Sequence, residues 1–333
     1  MPTQTDLSFE QLLHFYEDML RIRLFEEKIR DDLGPNGLIR GSTHLYIGQE
    51  AVAVGALHAI GKKDYVLSTH RGHGHCLAKG CQPEAMFAEI LGRKTGTCKG
   101  KGGSMHITCG ELGLLGENPV VAGNCGLAAG VAWACKLQGN GRIVANFIGE
   151  GALNNGAFHE AINLAALWKL PVVFICENNL YAISVPVEKS TSITDLHKRA
   201  EGYGVPGRQV NGMDSGDVYY AVKEAADLAR SEFTPSLLVM DCYRFEGHYL
   251  TETGRYRRKE EIIQYRREYD PIHLVEAYLL EDCLLDVDEV ADYRLRLRQE
   301  IDEACERAKA APLPEPEEAL ADIYVEAGKE VAA

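Results

Sequence analysis

The chain has 333 residues, enough for one large or two ordinary domains, and its 46% hydrophobic and 25% charged residues make a globular rather than a disordered composition. Its 49 acidic against 35 basic side chains leave a net charge of −14, which argues against a nucleic-acid or anionic-membrane surface as the main partner, since both need a basic footprint. No apolar run approaches the ~20 residues that span a bilayer, and Met1-Pro2-Thr3-Gln4-Thr5-Asp6 carries neither a signal nor a transit pattern, so a cytoplasmic protein is expected.

Leu12, Leu13, Tyr16, Met19, Leu20, Ile22, Phe25 and Ile29 recur near helical spacing and predict a helix over Phe9 to Asp32, stopped by Gly34-Pro35-Asn36-Gly37. A helix from about Gly48 to Ile60 and a short strand, Asp64 to Ser68, follow. Gly92 to Gly116 reads as a glycine-rich loop. A helix of small residues, about Cys125 to Leu137, can pack closely on a neighbour. The strongest pattern comes next. Arg142 to Ile148 is a buried-type strand, Gly149-Glu150-Gly151 turns it, Ala157 to Leu167 is a helix, and Leu170 to Cys176 is a second buried strand. Near-continuous apolar strands separated by a helix imply a βαβ unit with parallel strands. Val218 to Arg230 adds a helix and Ser236 to Asp241 a strand. After Asp270 the chain reads as helices, about Pro271 to Asp282 and Glu289 to Lys309. A Pro-rich linker, Pro312 to Pro316, leads to a last short helix, Glu317 to Ala327.

Ten cysteines include no CxxC pair, and several lie in apolar runs such as Val173-Phe174-Ile175-Cys176. Reduced, buried thiols are therefore expected. Gly202-Tyr203-Gly204-Val205-Pro206-Gly207 matches GxGxxG but leads into a strand-like segment, whereas a dinucleotide fingerprint opens a helix. Gly96 to Gly102 lacks the spacer and the Ser/Thr of a phosphate loop. His70-Arg71-Gly72-His73-Gly74-His75-Cys76 lacks the second cluster that zinc spacing needs. An anion-binding loop is the alternative, with Arg71 as a forked, permanently charged donor.

Glu150 and Asn179 each directly follow a buried strand, and those strands flank one helix. In a right-handed βαβ unit both emerge at the carboxyl edge of the sheet, where ligands of open α/β sheets bind. A carboxylate and an amide oxygen make a hard-oxygen set for Mg²⁺, with Gly149 and Gly151 letting the backbone approach a phosphate. A turn acid and a helix-capping Asn fit the same residues. Arg244 and His248 follow the strand that ends near Cys242. Four strand ends thus bring cation, metal and imidazole chemistry together, as a phosphorylated cofactor with proton transfer would need.

With these residues in place, the chain resembles the alpha subunit of the thiamine-diphosphate-dependent decarboxylating component of 2-oxo acid dehydrogenase complexes. Gly149-Glu150-Gly151 and, after 26 intervening residues, Asn178-Asn179 are similar to its GDG…NN motif. Further similarity lies in His44-Leu45-Tyr46-Ile47-Gly48-Gln49-Glu50-Ala51, Gly100 to His106, Ala166 to Pro171, and Tyr243-Arg244 with Gly247-His248. The resemblance runs from about Tyr16 to Asp270. It implies a mostly parallel α/β sheet with helices on both faces, the diphosphate-binding domain of the thiamine-diphosphate fold, over 41–270. An N-terminal helical arm (1–40) and a C-terminal helical extension (271–333) flank it.

The same resemblance implies Mg²⁺ held by Glu150, Asn179 and the carbonyl of Tyr181. It implies a diphosphate held by Arg71 and Arg244, with His70 beside them. Val121, Gly149, Gly151 and Ala152 would touch the cofactor, and His44 and His248 would face the substrate. The implied partners are a beta subunit carrying the pyrimidine-binding domain, in an α2β2 heterotetramer, and a lipoyl-bearing acyltransferase that accepts the product. Glu150 stands in place of the commoner Asp, as in branched-chain members, Pro119 in place of Gly, and Tyr249 in place of a regulatory serine. Ser68 to Gly80 looks most like acetoin dehydrogenases, Tyr256 to Glu261 like pyruvate dehydrogenases, and Ala182-Ile183-Ser184 like branched-chain enzymes. Acetoin or pyruvate is the expected substrate. A branched-chain 2-oxo acid, a transketolase-like carboligation and a non-catalytic binding subunit are the alternatives.

Overall fold

A computed structural model of the protein describes residues 7–282 and 284–322. In chain order it comprises α1 (Phe9–Lys28), α2 (Glu50–Ala59), β1 (Tyr65–Thr69), α3 (His73–Lys79), α4 (Pro83–Ile90), β2 (Leu114–Asn118), α5 (Gly123–Gln138), β3 (Val144–Gly149), α6 (Gly156–Trp168) and β4 (Val172–Asn178). Two short strands, β5 (Tyr181–Ala182) and β6 (Val185–Pro186), follow, then α7 (Val187–Ser190), β7 (Gly207–Asn211), α8 (Ser215–Glu232), β8 (Ser236–Asp241), α9 (Lys259–Glu268), α10 (Pro271–Glu281) and α11 (Val287–Ala310).

Six strands form one sheet in the order β2-β1-β3-β4-β8-β7, and every pairing is parallel. Successive strand residues point to opposite faces, and both faces are covered. Val144, Ile148, Val172, Phe174, Leu237 and Val239 enter a core closed by α5 and α6. Ala145, Phe147, Val173, Ile175, Leu238 and Met240 enter a second core closed by α2 and α8, with α1 packed behind them. Burial on both faces is why these strands read as continuous apolar runs. The expected α/β class is the observed one.

The N-terminal helix starts with a capping box, in which the Ser8 hydroxyl accepts from Gln11 N and the Gln11 side chain accepts from Ser8 N. Its last expected turn widens into a π-helix, Ile29–Leu33. Arg23 ties α1 to the rest of the fold, donating to Glu50 at 2.6 Å and to Asp270 at 2.9 Å, all three side chains buried. Leu297, Ile301 and Cys305 of α11 share the same core.

Three expectations need amending. The glycine-rich segment is not loop throughout: its end forms β2, which pairs with β1 through a register shift, with Gly116 at φ +127°. A short edge strand interrupted by glycine gives little alternation to read. Helices α3, α4 and α9 also escaped periodicity, being 7, 8 and 10 residues long. The last helix is, as far as Asp322, a 3-10 turn over Pro316–Leu320, and its remainder and Cys283 lie outside the described residues. The nine described cysteines are free. The GxGxxG match leads from a 3-10 segment into β7. Among the described residues no helix is long and apolar enough to cross a membrane.

Candidate active site

A cavity of about 240 Å³ opens at the carboxyl ends of β1, β2, β3 and β4. His70, Arg71, Val121, Gly149, Glu150, Gly151, Ala152, Asn179, Tyr181, Arg244 and His248 line it. The parallel sheet brings them together because each follows a strand or sits in the turn beyond one. His44 is not in the lining. It is buried behind two imidazoles that are, its ring 4.6 Å from His70 and 4.9 Å from His248 between centroids.

The cations are unusually placed. Arg71 and Arg244 are 3% and 1% exposed, yet neither pairs with a carboxylate among the described residues. Arg71 donates instead to the carbonyls of Leu45 at 2.5 Å and His248 at 2.9 Å. Arg244 donates to the Ile183 carbonyl at 2.9 Å and the Tyr256 hydroxyl at 2.6 Å. Burial, and then Arg244, pull Arg71 down to about 9, and burial lowers Arg244 as well. Two guanidiniums held down by burial, with no ion pair among the described residues, make a place suited to an anion.

Glu150 is buried at the turn after β3 and forms no ion pair among the described residues. Burial lifts its carboxyl above the ordinary range, against its own backbone amide and Arg244. Asn179 Nδ2 donates to Gln49 Oε1 at 3.3 Å, and Asn179 Oδ1 accepts from Tyr181 N at 3.4 Å. The Tyr181 carbonyl accepts from Arg244 Nη1 at 3.4 Å. A side chain at Gly149 would meet no protein atom within 4 Å, whereas one at Gly151 would press on Ala182 Cβ at 2.9 Å. Around this turn Ala122, Leu180 and Ile183 hold positive φ of 61°, 73° and 54°, conformations that L-residues adopt at a cost and that cluster at functional sites.

Burial and Arg71 lower His44 to about 3, His70 to about 2 and His248 to about 4.

Sequence reasoning did not single out Gln49, Asn124 or Glu177. Asn124 Nδ2 donates to the carbonyls of Ser68 and Phe147, pinning the ends of β1 and β3 together. Glu177 accepts from the Tyr46 hydroxyl, which lies 3.1 Å from His75 Nε2, while His75 Nδ1 is 2.8 Å from Ser68 Oγ. A lone acid at the end of the apolar run Val172 to Cys176 was the available sign. The loop that loosely resembles a phosphate loop already holds an anion. Buried Glu89 accepts from the amides of Cys98 at 2.7 Å, Gly100 at 2.9 Å, Gly102 at 2.7 Å and Gly103 at 3.1 Å.

An anion cradle beside a carboxylate, at the carboxyl edge of a parallel sheet, is the build of an enzyme subunit that binds a phosphorylated cofactor. Known proteins narrow this class. The profile of the dehydrogenase E1 component matches residues 17–317. The alpha subunit of acetoin:2,6-dichlorophenolindophenol oxidoreductase from Bacillus subtilis is 42% identical over 319 residues, 96% of this chain and 95% of that one. Its namesake from Cupriavidus necator is 42% identical over 319 residues, 96% of each chain. The alpha subunit of the pyruvate dehydrogenase E1 component from Rhizobium meliloti is 40% identical over 323 residues, 97% of this chain and 92% of that one. The chain belongs to the dehydrogenase E1 component family. It is an alpha-type subunit of a thiamine-diphosphate-dependent oxidoreductase.

Proposed function

We propose that this chain is the diphosphate-binding half of a dehydrogenase that cleaves acetoin or decarboxylates pyruvate and passes the two-carbon unit to lipoamide on an acyltransferase. The observation that carries this reading is the pair of buried guanidiniums, Arg71 and Arg244, sharing one cavity with Glu150 and having no carboxylate partner among the described residues. A diphosphate supplies that anion, and a magnesium ion answers the buried, unpaired carboxylate. The relatives named for acetoin and for pyruvate support the substrate class.

In this reading Glu150, Asn179 and the Tyr181 carbonyl hold Mg²⁺. Arg71 and Arg244 take the diphosphate, with His70 beside them. Val121, Gly149, Gly151 and Ala152 shape the wall, within an α/β domain over 41–270 flanked by helical segments. When bound, thiamine diphosphate supplies a nucleophilic thiazolium carbon and an electron sink. This chain's part is binding and orientation. Gln49 turns the Asn179 amide, the two arginines fix the phosphate end, and His248, with His44 behind it, moves protons at its ring nitrogens.

The cavity is half of a site. A beta subunit with the pyrimidine-binding domain would close it, in an α2β2 assembly located in the cytoplasm. An exposed apolar strip supports such a partner: Val120 and Val121 at the cavity, Leu127, Trp133 and Leu137 on α5, and Leu167 and Trp168 on α6. Co-expression with a beta-type subunit tests the proposal. Dye reduction by acetoin or pyruvate should require both thiamine diphosphate and Mg²⁺. Absence of turnover on acetoin, pyruvate and branched 2-oxo acids overturns it.

A further inference from the structure

We infer that the cleft between Arg40 and Arg93 is a second anion site, suited to a phosphate monoester that carries a short apolar group. The inference stands apart from the function proposed above, because the cleft shares no lining residue with the cavity at the sheet edge.

The cleft has a volume of about 210 Å³, and its walls come from three distant parts of the chain. Each wall is pinned. Gly37 N donates to the Gly34 carbonyl at 2.9 Å and Leu38 N to the Leu33 carbonyl at 3.1 Å, which fixes the turn leading to Arg40. Arg93 N donates to the Ala88 carbonyl at 2.7 Å, which fixes Arg93 just past α4. Lys94 N donates to the Pro312 carbonyl at 2.9 Å, which holds the segment of Leu313 against that of Arg93. Arg307 Nε, two residues before Lys309, donates to Glu84 at 2.6 Å and ties α11 to α4.

Three cations line this cleft, and one of them is answered. Lys309 Nζ donates to Asp32 at 2.9 Å and to Glu306 at 2.8 Å. Arg40 and Arg93 have no carboxylate partner among the described residues. The Nε of Arg93 is buried and finds no hydrogen-bond partner. A buried donor left unmade costs stability, and an anion that accepts from it returns that cost.

The donor set names the ligand. Two forked, permanently charged guanidiniums match a group with two charges and several acceptor oxygens. A phosphate monoester near pH 7 has about −2 charge and three such oxygens. A carboxylate offers one charge, and a metal cation would be repelled. Leu91 is buried in the lining, while Leu38 and Leu313 are 41% and 52% exposed. A short alkyl group seated on those two leucines would leave water together with them.

The test is calorimetric titration of n-propyl phosphate into the co-expressed two-subunit enzyme, saturated with thiamine diphosphate and Mg²⁺ so that the Arg71–Arg244 cavity is filled. Propyl phosphate should bind at one site per chain, inorganic phosphate at least about 4-fold more weakly for want of the alkyl group, and butyrate more weakly still. Arg93→Gln should lower the affinity for propyl phosphate by about 10-fold or more, the scale of a lost charge-assisted hydrogen bond, and Arg40→Gln should lower it in the same direction. If Arg93→Gln does not assemble, Arg40→Gln carries the test, since Arg40 is exposed. No binding at millimolar propyl phosphate overturns the inference. So does binding that neither substitution weakens, or binding of butyrate as tight as that of propyl phosphate.

Discussion

Arg71 Nη2 donates a 2.9 Å hydrogen bond to the carbonyl oxygen of His248, joining two loops 177 residues apart in the chain. The guanidinium proposed to meet the diphosphate therefore also positions the imidazole proposed to meet the substrate. Arg71→Lys keeps the charge and loses the fork. It should weaken thiamine diphosphate binding at least about 30-fold, as for truncating one side of a buried charge contact. It should also lower kcat at saturating cofactor, because His248 loses its anchor. Titration calorimetry and dye-reduction kinetics on the co-expressed enzyme read the two effects separately. A kcat unchanged at saturation would break the link.

Glu89 acts on the fold rather than the cavity. Its buried carboxylate gathers four backbone amides of the glycine-rich loop. Glu89→Gln turns one acceptor oxygen into a donor facing two amides and should cost about 2–4 kcal/mol. Hydrogen exchange at Cys98, Gly100, Gly102 and Gly103 should accelerate together. Exchange that quickens at one pair only would mean that the loop is held elsewhere.

Stability should fall on the alkaline side. Burial draws the imidazole of His73 down, but Glu26, with both carboxylate oxygens 3.1 Å from Nδ1, lifts it to about 9 from 6.5. The folded state thus holds a proton that the unfolded chain releases near 6.5. The stabilisation is complete below pH 6.5 and is lost as pH rises to about 9. Burial raises Glu117 to about 8 from 4.5, which acts in the same direction between those values. Melting temperature should drop from pH 6.5 to 9, and His73→Gln should flatten the profile. A melting temperature constant over that range contradicts the assignment.

The apolar strip on α5 and α6 gives a separable prediction. Leu127 is 56% exposed, so Leu127→Glu should leave the isolated chain's melting temperature within about 2 °C, as surface changes do. The same change should reduce the mass of the assembled enzyme in light scattering. An assembly of unaltered mass would place the partner on another face.

How much of this was legible in the sequence follows from burial. Strands β3, β4 and β8 are covered on both faces and read as unbroken apolar runs. Their carboxyl ends announced Glu150, Asn179 and Arg244. Strand β2 is short, lies at the sheet edge and contains Gly116, so its five residues carried no period. Asn124 and Glu177 are single polar residues inside apolar elements, visible only as exceptions. Their partners, Ser68 and Tyr46, are 56 and 131 residues away, a separation that local patterning does not encode. The resemblance expects His44 at the substrate; in the fold its ring packs edge-on behind His70 and His248, which line the cavity.

The account depends most on Glu150 and Asn179 as the metal end of the cofactor site. The direct measurement is calorimetric titration of thiamine diphosphate into the co-expressed enzyme, with and without Mg²⁺, for the parent, Glu150→Ala and Asn179→Ala. The parent should bind only with Mg²⁺, and each variant should lose that Mg²⁺-dependent binding. Unchanged affinity in either variant would contradict the account.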